Sequence, residues 1–125
     1  MIKATTRIMI VDDEKDFREM LDLYLRKEGF ETNTAEDGAD LLKKIDDFEP
    51  DIVTLDVMMP GITTRTILDT LKKKKSKSKI ILLTVVRYSE TEKKMMHEMG
   101  NVVDYITKPF DIDEFKNRIV KNLDK

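Results

Sequence analysis

Each of four short apolar runs in this chain ends in polar residues that could do chemistry. The runs and the residues that follow them are Arg7–Val11 with Asp12 and Asp13, Ile52–Leu55 with Asp56, Ile80–Leu83 with Thr84, and Val102–Ile106 with Thr107 and Lys108. If the runs are parallel strands, their carboxyl ends meet at one edge of a sheet. The three carboxylates, the Thr84 hydroxyl and the Lys108 ammonium group would then lie together. Such a set suits a divalent cation and a phosphoryl group held on a carboxylate.

The three carboxylates need a compensating cation if they share one edge. Two like charges ~4 Å apart repel by about 4 kcal/mol at an effective dielectric constant near 20, and Lys108 alone cannot neutralise Asp12, Asp13 and Asp56. Mg²⁺ is usually held by one or two carboxylates together with waters and phosphoryl oxygens. Capping of the first helix by Asp13 would explain one of the acids, but not two of them together with Asp56. We therefore favour a Mg²⁺ site.

Asp56 is the best candidate for a nucleophile. A carboxylate can accept a phosphoryl group as an acyl phosphate when cations neutralise the transferred charge. Asp56 ends the run that we expect to be the central strand, and the loop after it contains Met58, Met59, Pro60 and Gly61.

Length and composition predict one intracellular domain. The 125 residues suffice for a single hydrophobic core, so we expect one domain over 1–125. The net charge of -2 gives no global attraction to nucleic acid or to a membrane surface. The chain has no cysteine and no apolar stretch long enough for a signal peptide or a membrane span. We expect a soluble protein of the cytoplasm.

Helical periodicity fills the segments between the apolar runs. Five helices are predicted: one through Phe17–Leu25 that Gly29 stops, one from Gly38 to before Pro50, one from Thr66 to about Lys74, one that Ser89 or Thr91 caps and Gly100 stops, and one that Asp111 or Asp113 caps. A polar strand, Glu31–Ala35, is predicted at a sheet edge. Strict alternation of strand and helix indicates an α/β fold with a doubly wound parallel sheet of five strands.

Four motifs follow one another along the chain: Asp12-Asp13-Glu14, Asp56 with Met59-Pro60-Gly61, Thr84, and Lys108-Pro109-Phe110. In this order they resemble the receiver domain of response regulators in two-component signalling. The resemblance implies a flavodoxin-like sheet in the order 2-1-3-4-5. It also implies that Asp56 accepts a phosphoryl group from a phosphohistidine of a sensor histidine kinase. Asp12, Asp13, Asp56 and the backbone carbonyl of Met58 would hold Mg²⁺, Thr84 and Lys108 would contact the phosphoryl oxygens, and the bond before Pro109 would be cis.

The resemblance also implies how the signal leaves the domain. Thr84 would move toward the new phosphoryl group and Tyr105 would turn inward, which would reshape the surface formed by the fourth helix, the fifth strand and the fifth helix for a downstream effector protein that the sequence does not name. The domain would be a phosphoacceptor that assists its own phosphorylation and dephosphorylation rather than an enzyme. Because no output domain follows Lys125, we expect a monomer that acts by protein contact.

The chain departs from the family pattern near the site. Val85 stands where receivers usually have Ala or Gly, so we expect narrower access to Asp56. Met58 and Val86 are apolar and cannot orient an attacking water, which predicts slow self-dephosphorylation. Thr63 and Thr64 replace the usual Asp-Gly pair before the third helix, and one extra residue lies between Gly100 and Tyr105.

Other functions fit the residues less well. A haloacid-dehalogenase-type phosphatase needs a second acid at the position of Met58, and a flavin mononucleotide binder would not place Asp12, Asp13 and Glu14 at its phosphate loop. The alternative that stays open is a receiver-like interaction module that no longer turns over phosphate. His97 is expected to be exposed on a helix without a ligand role, and the lysine-rich run 72–79 is expected to be a solvated helix end rather than a nucleic-acid site.

Overall fold

Strands and helices alternate along the whole of the computed structural model, which describes residues 5–123. The elements are β1 (Arg7–Val11), α1 (Lys15–Lys27), β2 (Glu31–Ala35), α2 (Gly38–Phe48), β3 (Ile52–Asp56), α3 (Thr64–Lys73), β4 (Lys79–Thr84), α4 (Glu90–Gly100), β5 (Val102–Thr107) and α5 (Ile112–Leu123). Within 5–123, none of the helices combines the length and the apolar character that crossing a membrane requires.

The sheet is parallel throughout and has the order β2-β1-β3-β4-β5. This confirms the predicted doubly wound α/β fold. The central strand β3 is buried along its whole length, whereas β2, at one edge, buries only Ala35 completely. Strands covered on both faces read as continuous apolar runs, and an edge strand tolerates polar residues. The carboxyl ends of β1, β3 and β4 therefore lie side by side at the middle of one sheet edge.

Two hydrophobic cores lie on opposite faces of the sheet. One core packs α1 and α5 against the sheet through Leu21, Leu25, Phe115 and Ile119. The other packs α2 and α3 through Leu41, Ile45, Ile67, Leu68 and Leu71, with α4 adding the half-buried Met96. Burying one such side chain fully contributes roughly 1.5–3 kcal/mol. Because α4 buries only Gly100 completely, it is the least firmly packed of the five helices.

The structure shows which residues cap the helices whose starts the sequence does not decide. Ser89 caps α4 in a capping box with Glu92, and the Asp111 carboxylate accepts the backbone N–H of Asp113 at the start of α5. The predicted start of α3 at Thr66 is wrong by two residues. Thr63 is the cap, and its hydroxyl accepts the backbone N–H of Thr66.

α4 ends at Gly100, where the sequence predicts its end, but Gly100 is the last helical residue and not the residue that terminates the helix. Asn101, with φ 60°, adopts the left-handed conformation at the C-cap. A Cβ atom on Gly100 would lie 2.5 Å from the Cβ of Leu68. A glycine is therefore required here because α3 and α4 approach closely, not because the backbone needs φ > 0.

The extra residue before Tyr105 forms a β-bulge. Ile80 pairs with Val102, but Ile81 pairs with Asp104, so Val103 has no partner on β4. A bulge shifts the alternation of side chains by one position. Accordingly, Val102 and Tyr105 pack on the α2–α3 side of the sheet, whereas Val103 packs on the α1–α5 side.

Lysines of the run 72–79 lie at the ends of other helices. Lys72 donates to the carbonyl of Glu98 in the last turn of α4 (3.2 Å), and Lys79 donates to the carbonyl of Asn122 in the last turn of α5 (2.7 Å). Lys74 pairs with Asp46 near the end of α2 (2.9 Å). Cations are favoured at helix C-termini, so this run has a structural role in joining α3 and β4 to three helix ends.

Candidate functional site

Two buried carboxylates stand at the carboxyl ends of neighbouring central strands. Asp12 follows β1 and is 1% exposed, and Asp56 ends β3 and is 5% exposed. Each accepts a backbone N–H from two residues further along the chain: Glu14 donates to Asp12 Oδ1 at 2.9 Å, and Met58 donates to Asp56 Oδ1 at 3.0 Å. These hydrogen bonds hold one oxygen of each carboxylate against its own loop and leave the other oxygen for a different partner.

Lys108 bridges the two remaining oxygens. Its Nζ lies 3.3 Å from Asp12 Oδ2 and 3.4 Å from Asp56 Oδ2. The ammonium group also lies 4.8 Å from the centroid of the Phe17 ring, within range of a cation–π contact. The peptide bond from Lys108 to Pro109 is cis, as the resemblance predicts, and the Lys108 N–H donates to the carbonyl of Thr84 at 2.9 Å.

Asp13 completes an acidic cluster with the two buried residues. One carboxylate oxygen of each of Asp12, Asp13 and Asp56 lies within 4.8 Å of the others, and Asp13 is exposed. Within residues 5–123, no other group of three or more acidic, histidine or cysteine side chains is so placed. Burial is the largest influence on Asp12 and raises its pKa; the Glu14 N–H and Lys108 oppose this rise, and the charge of Asp56 adds to it.

The cluster fits a hard divalent cation such as Mg²⁺. All of its donors are carboxylate oxygens, without imidazole or thiolate, and it holds three negative charges against the one positive charge of Lys108. The backbone N–H of Met58 donates to Asp56, which holds the Met58 backbone beside the cluster, and Met58 is 64% exposed.

Thr84 lies at the same edge, with its hydroxyl occupied locally. The side chain is buried at the end of β4, and Oγ1 accepts the Val86 N–H at 2.8 Å. Asp56 pairs with Leu83 in the register of β3 and β4, which brings Thr84 next to the nucleophile candidate along the sheet edge. In the described conformation the hydroxyl orders the loop after β4.

Tyr105 links β5 to α4. Its hydroxyl donates to the carbonyl of Lys93 at 3.2 Å, and its ring centroid lies 5.7 Å from that of Tyr88 in the loop after β4. Burial is the main cause that raises the pKa of Tyr105 to about 12, with further contributions from Tyr88, Asp104 and Glu90. The phenol is therefore a neutral hydrogen-bond donor that joins α4 to the sheet.

A cavity of about 530 Å³ opens beside the two carboxylates. Its lining consists of Asp12, Asp13, Glu14, Phe17, Asp56, Val85, Lys108, Pro109 and Phe110. Val85 is one of the wall residues and is 59% exposed. The sequence places Glu14 in the motif after β1 but gives it no role in the site, and it does not identify Phe17 as a site residue. Phe17 belongs to the apolar stripe of α1, and nothing in that stripe distinguishes a ring that lines a cavity from one that lies in the core.

His97, Met95 and Met96 lie away from this site. His97 is exposed on α4, as predicted, and its Nδ1 lies 2.9 Å from the carbonyl of Val102. Met95 is exposed, and Met96 is half-buried against the α2–α3 core.

Comparisons with known proteins agree on one family. The family model described as the response regulator receiver domain matches residues 8–120. Among solved structures, the response regulator TrrA of Thermotoga maritima, in complex with Mg²⁺-BeF, is 39% identical with a TM-score of 0.76, over 94% of this chain and 98% of that one. A putative response regulator from Chloroflexus aurantiacus is 31% identical with a TM-score of 0.79, over 98% and 100%. The chemotaxis protein CheY4 of Vibrio cholerae is 26% identical with a TM-score of 0.82, over 94% and 98%.

Proposed function

The chain belongs to the response regulator receiver domain family of two-component signalling, and on that premise we propose that Asp56 accepts a phosphoryl group from a phosphohistidine of a sensor histidine kinase. The observation that carries the proposal is the buried carboxylate pair of Asp12 and Asp56 with Lys108 between them. An oxygen of Asp56 that faces an ammonium group is positioned to attack phosphorus, because the ammonium group can follow the charge as it moves onto the phosphoryl oxygens.

We propose that Asp12, Asp13, Asp56 and the backbone carbonyl of Met58 hold Mg²⁺. The ion would supply positive charge where the phosphoryl oxygens gather. Support comes from the all-oxygen donor set of this chain and from the relative TrrA, whose structure is a complex with Mg²⁺-BeF.

The proposed output runs through Thr84 and Tyr105. A phosphoryl group on Asp56 brings acceptor oxygens to the edge where the Thr84 hydroxyl is held only by the loop 84–86. If Thr84 turns toward them, the Val86 N–H loses its partner and the loop that carries Tyr88 rearranges. Tyr88 contacts Tyr105, which is bonded to α4. A loosely packed α4 can then shift and change the surface of α4, β5 and α5 that an effector protein binds.

The proposed role is that of a signalling domain, with chemistry limited to its own phosphorylation and dephosphorylation. Because sensor kinases form their phosphohistidine with ATP, the proposal places the transfer in the cytoplasm. The exposed, apolar Met58 and Val86 favour slow hydrolysis of the acyl phosphate, since neither can act as a base toward water. The rival function, an interaction module without phosphate turnover, would retain the fold but not require the charges at Asp56 and Lys108.

Intact mass after incubation with acetyl phosphate and Mg²⁺ tests the proposal. We expect a gain of one phosphoryl group that is lost in Asp56→Asn and when Mg²⁺ is removed. A Val85→Ala variant run in parallel separates a site that is closed to small donors from a domain that does not accept phosphate. If neither protein gains mass with acetyl phosphate or with phosphoramidate, the interaction-module function replaces the proposal.

A further inference from the structure

The cavity beside Asp56 has an apolar wall. Phe17, Val85 and Phe110 belong to its lining, and the centroids of the two phenylalanine rings are 6.0 Å apart. The apolar wall reaches Asp56, because the Lys108 ammonium group pairs with Asp56 and also lies over the Phe17 ring. A donor molecule that presents its phosphorus to Asp56 from this cavity must therefore place its leaving group beside apolar side chains.

Glu14 adds an unused carboxylate to the same cavity. It occupies the N-cap position of α1, but its side chain makes no capping hydrogen bond. It is exposed, and the structure of residues 5–123 gives its carboxylate no hydrogen bond or ion pair. An N-cap residue usually satisfies a backbone N–H of the helix. Here the carboxylate remains available to a hydrogen-bond donor in the cavity.

We propose that Glu14, Phe17 and Val85 form a leaving-group subsite that selects aromatic phosphoramidate donors, of which phosphoimidazole is the simplest, over acyl phosphates. The subsite rests on the proposed function, because it binds the group that departs when Asp56 is phosphorylated. A flat ring covers the apolar wall, and its distal ring N–H donates to Glu14.

The charge of the leaving group decides the direction of the selection. In transfer from protonated phosphoimidazole, an oxygen of Asp56 bonds to phosphorus as the P–N bond breaks, and the electron pair of that bond stays on the ring nitrogen. Imidazole leaves as a neutral molecule that keeps its proton on the other nitrogen. Transfer from acetyl phosphate breaks a P–O bond and releases an acetate anion, which the unpaired carboxylate of Glu14 repels.

The experiment measures second-order rate constants for phosphorylation by phosphoimidazole, phosphoramidate and acetyl phosphate, with Mg²⁺, by intact mass. The proteins are the wild type, Glu14→Gln, Val85→Ser and the control Glu19→Gln, which removes an exposed α1 charge outside the cavity. For each variant, the rate constant with one donor is divided by the rate constant with another, and this ratio is divided by the same ratio for the wild type. The result does not depend on the intrinsic reactivity of the donors or on a general loss of acceptor activity.

We expect Glu14→Gln to lower the phosphoimidazole to acetyl phosphate ratio at least about threefold, which corresponds to a small charge effect on an exposed group, while Glu19→Gln leaves it unchanged. Val85→Ser should lower the phosphoimidazole to phosphoramidate ratio, because only the first donor carries a ring. Ratios equal to those of the wild type in both subsite variants would overturn the subsite while leaving phosphorylation of Asp56 intact. Failure of all three donors on every protein would overturn the proposed function and the subsite with it.

Discussion

Lys108 Nζ lies 3.4 Å from Asp56 Oδ2 and, on its other side, 3.3 Å from Asp12 Oδ2. One ammonium group thus compensates two buried carboxylates. It belongs to the residue that directly follows β5, and β5 lies two strands away from β3, the strand that Asp56 ends. The site therefore requires β4 and β5 to pair correctly with β3, and it does not depend on the loop after β3 alone.

Replacement of Lys108 by Met should expose the repulsion between Asp12 and Asp56. Because Lys108 is itself partly exposed but its removal leaves two almost fully buried carboxylates without a partner, we expect the free energy of unfolding to fall by about 1–3 kcal/mol, measured by urea denaturation. Mg²⁺ should restore more stability to Lys108→Met than to the wild type, since the ion no longer competes with an ammonium group. The control Lys116→Met removes the more exposed pair with Glu28 and should show no such dependence. If Mg²⁺ stabilised the wild type and Lys108→Met equally, this would contradict the proposed metal position.

The Asp104 carboxylate fastens α5 to the bulged strand β5. It accepts from Arg118 Nε and from Asn122 Nδ2, each at 2.8 Å. Asp104→Asn leaves the guanidinium of Arg118 without its charged partner, so we expect a loss of about 1.5–3 kcal/mol of stability at neutral pH. The matched control Glu114→Gln, which removes the more exposed partner of Arg118, should cost less than about 0.5 kcal/mol.

The cost of Asp104→Asn should depend on pH. Burial raises the pKa of Asp104, but the hydrogen bonds from Arg118, Asn122 and the Tyr105 N–H outweigh it and hold the pKa below its ordinary value. A carboxyl group with a lowered folded pKa contributes stability above its unfolded pKa of about 3.9, and this contribution is lost as the pH falls through the folded pKa. The difference between wild type and variant should therefore be full at pH 7 and shrink below about pH 4. A difference that grows in acid would refute this role of Asp104.

Gly100→Ala should weaken the packing of α3 against α4. The added Cβ would lie 2.5 Å from Leu68 Cβ, so one helix must move, at a cost of about 1–3 kcal/mol. A double-mutant cycle with Leu68→Ala separates this clash from helix propensity. We expect Gly100→Ala to be less costly in the Leu68→Ala background than in the wild type. Simple additivity of the two substitutions would show that the contact does not limit the distance between the helices.

Val86→Glu should shorten the lifetime of the phosphorylated protein. Val86 is exposed and lies two residues after Thr84. A carboxylate at this position can orient and deprotonate water. We expect at least about tenfold faster loss of the phosphoryl group, followed by intact mass after removal of the donor, while Val120→Glu on the exposed face of α5 leaves the rate unchanged. A wild-type lifetime of only seconds would contradict slow self-dephosphorylation.

The sequence was sufficient to predict the fold and the acidic site because both depend on strand ends. Buried strands such as β3 read as apolar runs, and parallel strands must end at one edge, so Asp12, Asp56 and Lys108 could be placed together before the structure was known. The bulge at Val103 and the role of Gly100 could not be predicted, since each depends on how another element approaches: β4 in one case and Leu68 in the other. That Glu14 and Phe17 line the cavity also could not be predicted, because this depends on how the start of α1 packs against the loop after β5.

Borohydride reduction tests the central claim most directly, because it converts an aspartyl phosphate to homoserine and so marks the phosphorylated residue for peptide mass spectrometry. After incubation with a phosphodonor and Mg²⁺, we expect homoserine at position 56, and none when either the donor or Mg²⁺ is left out. Homoserine at position 12 or 13, or a phosphoryl group that survives on a serine or threonine, would contradict the assignment of Asp56 as the acceptor.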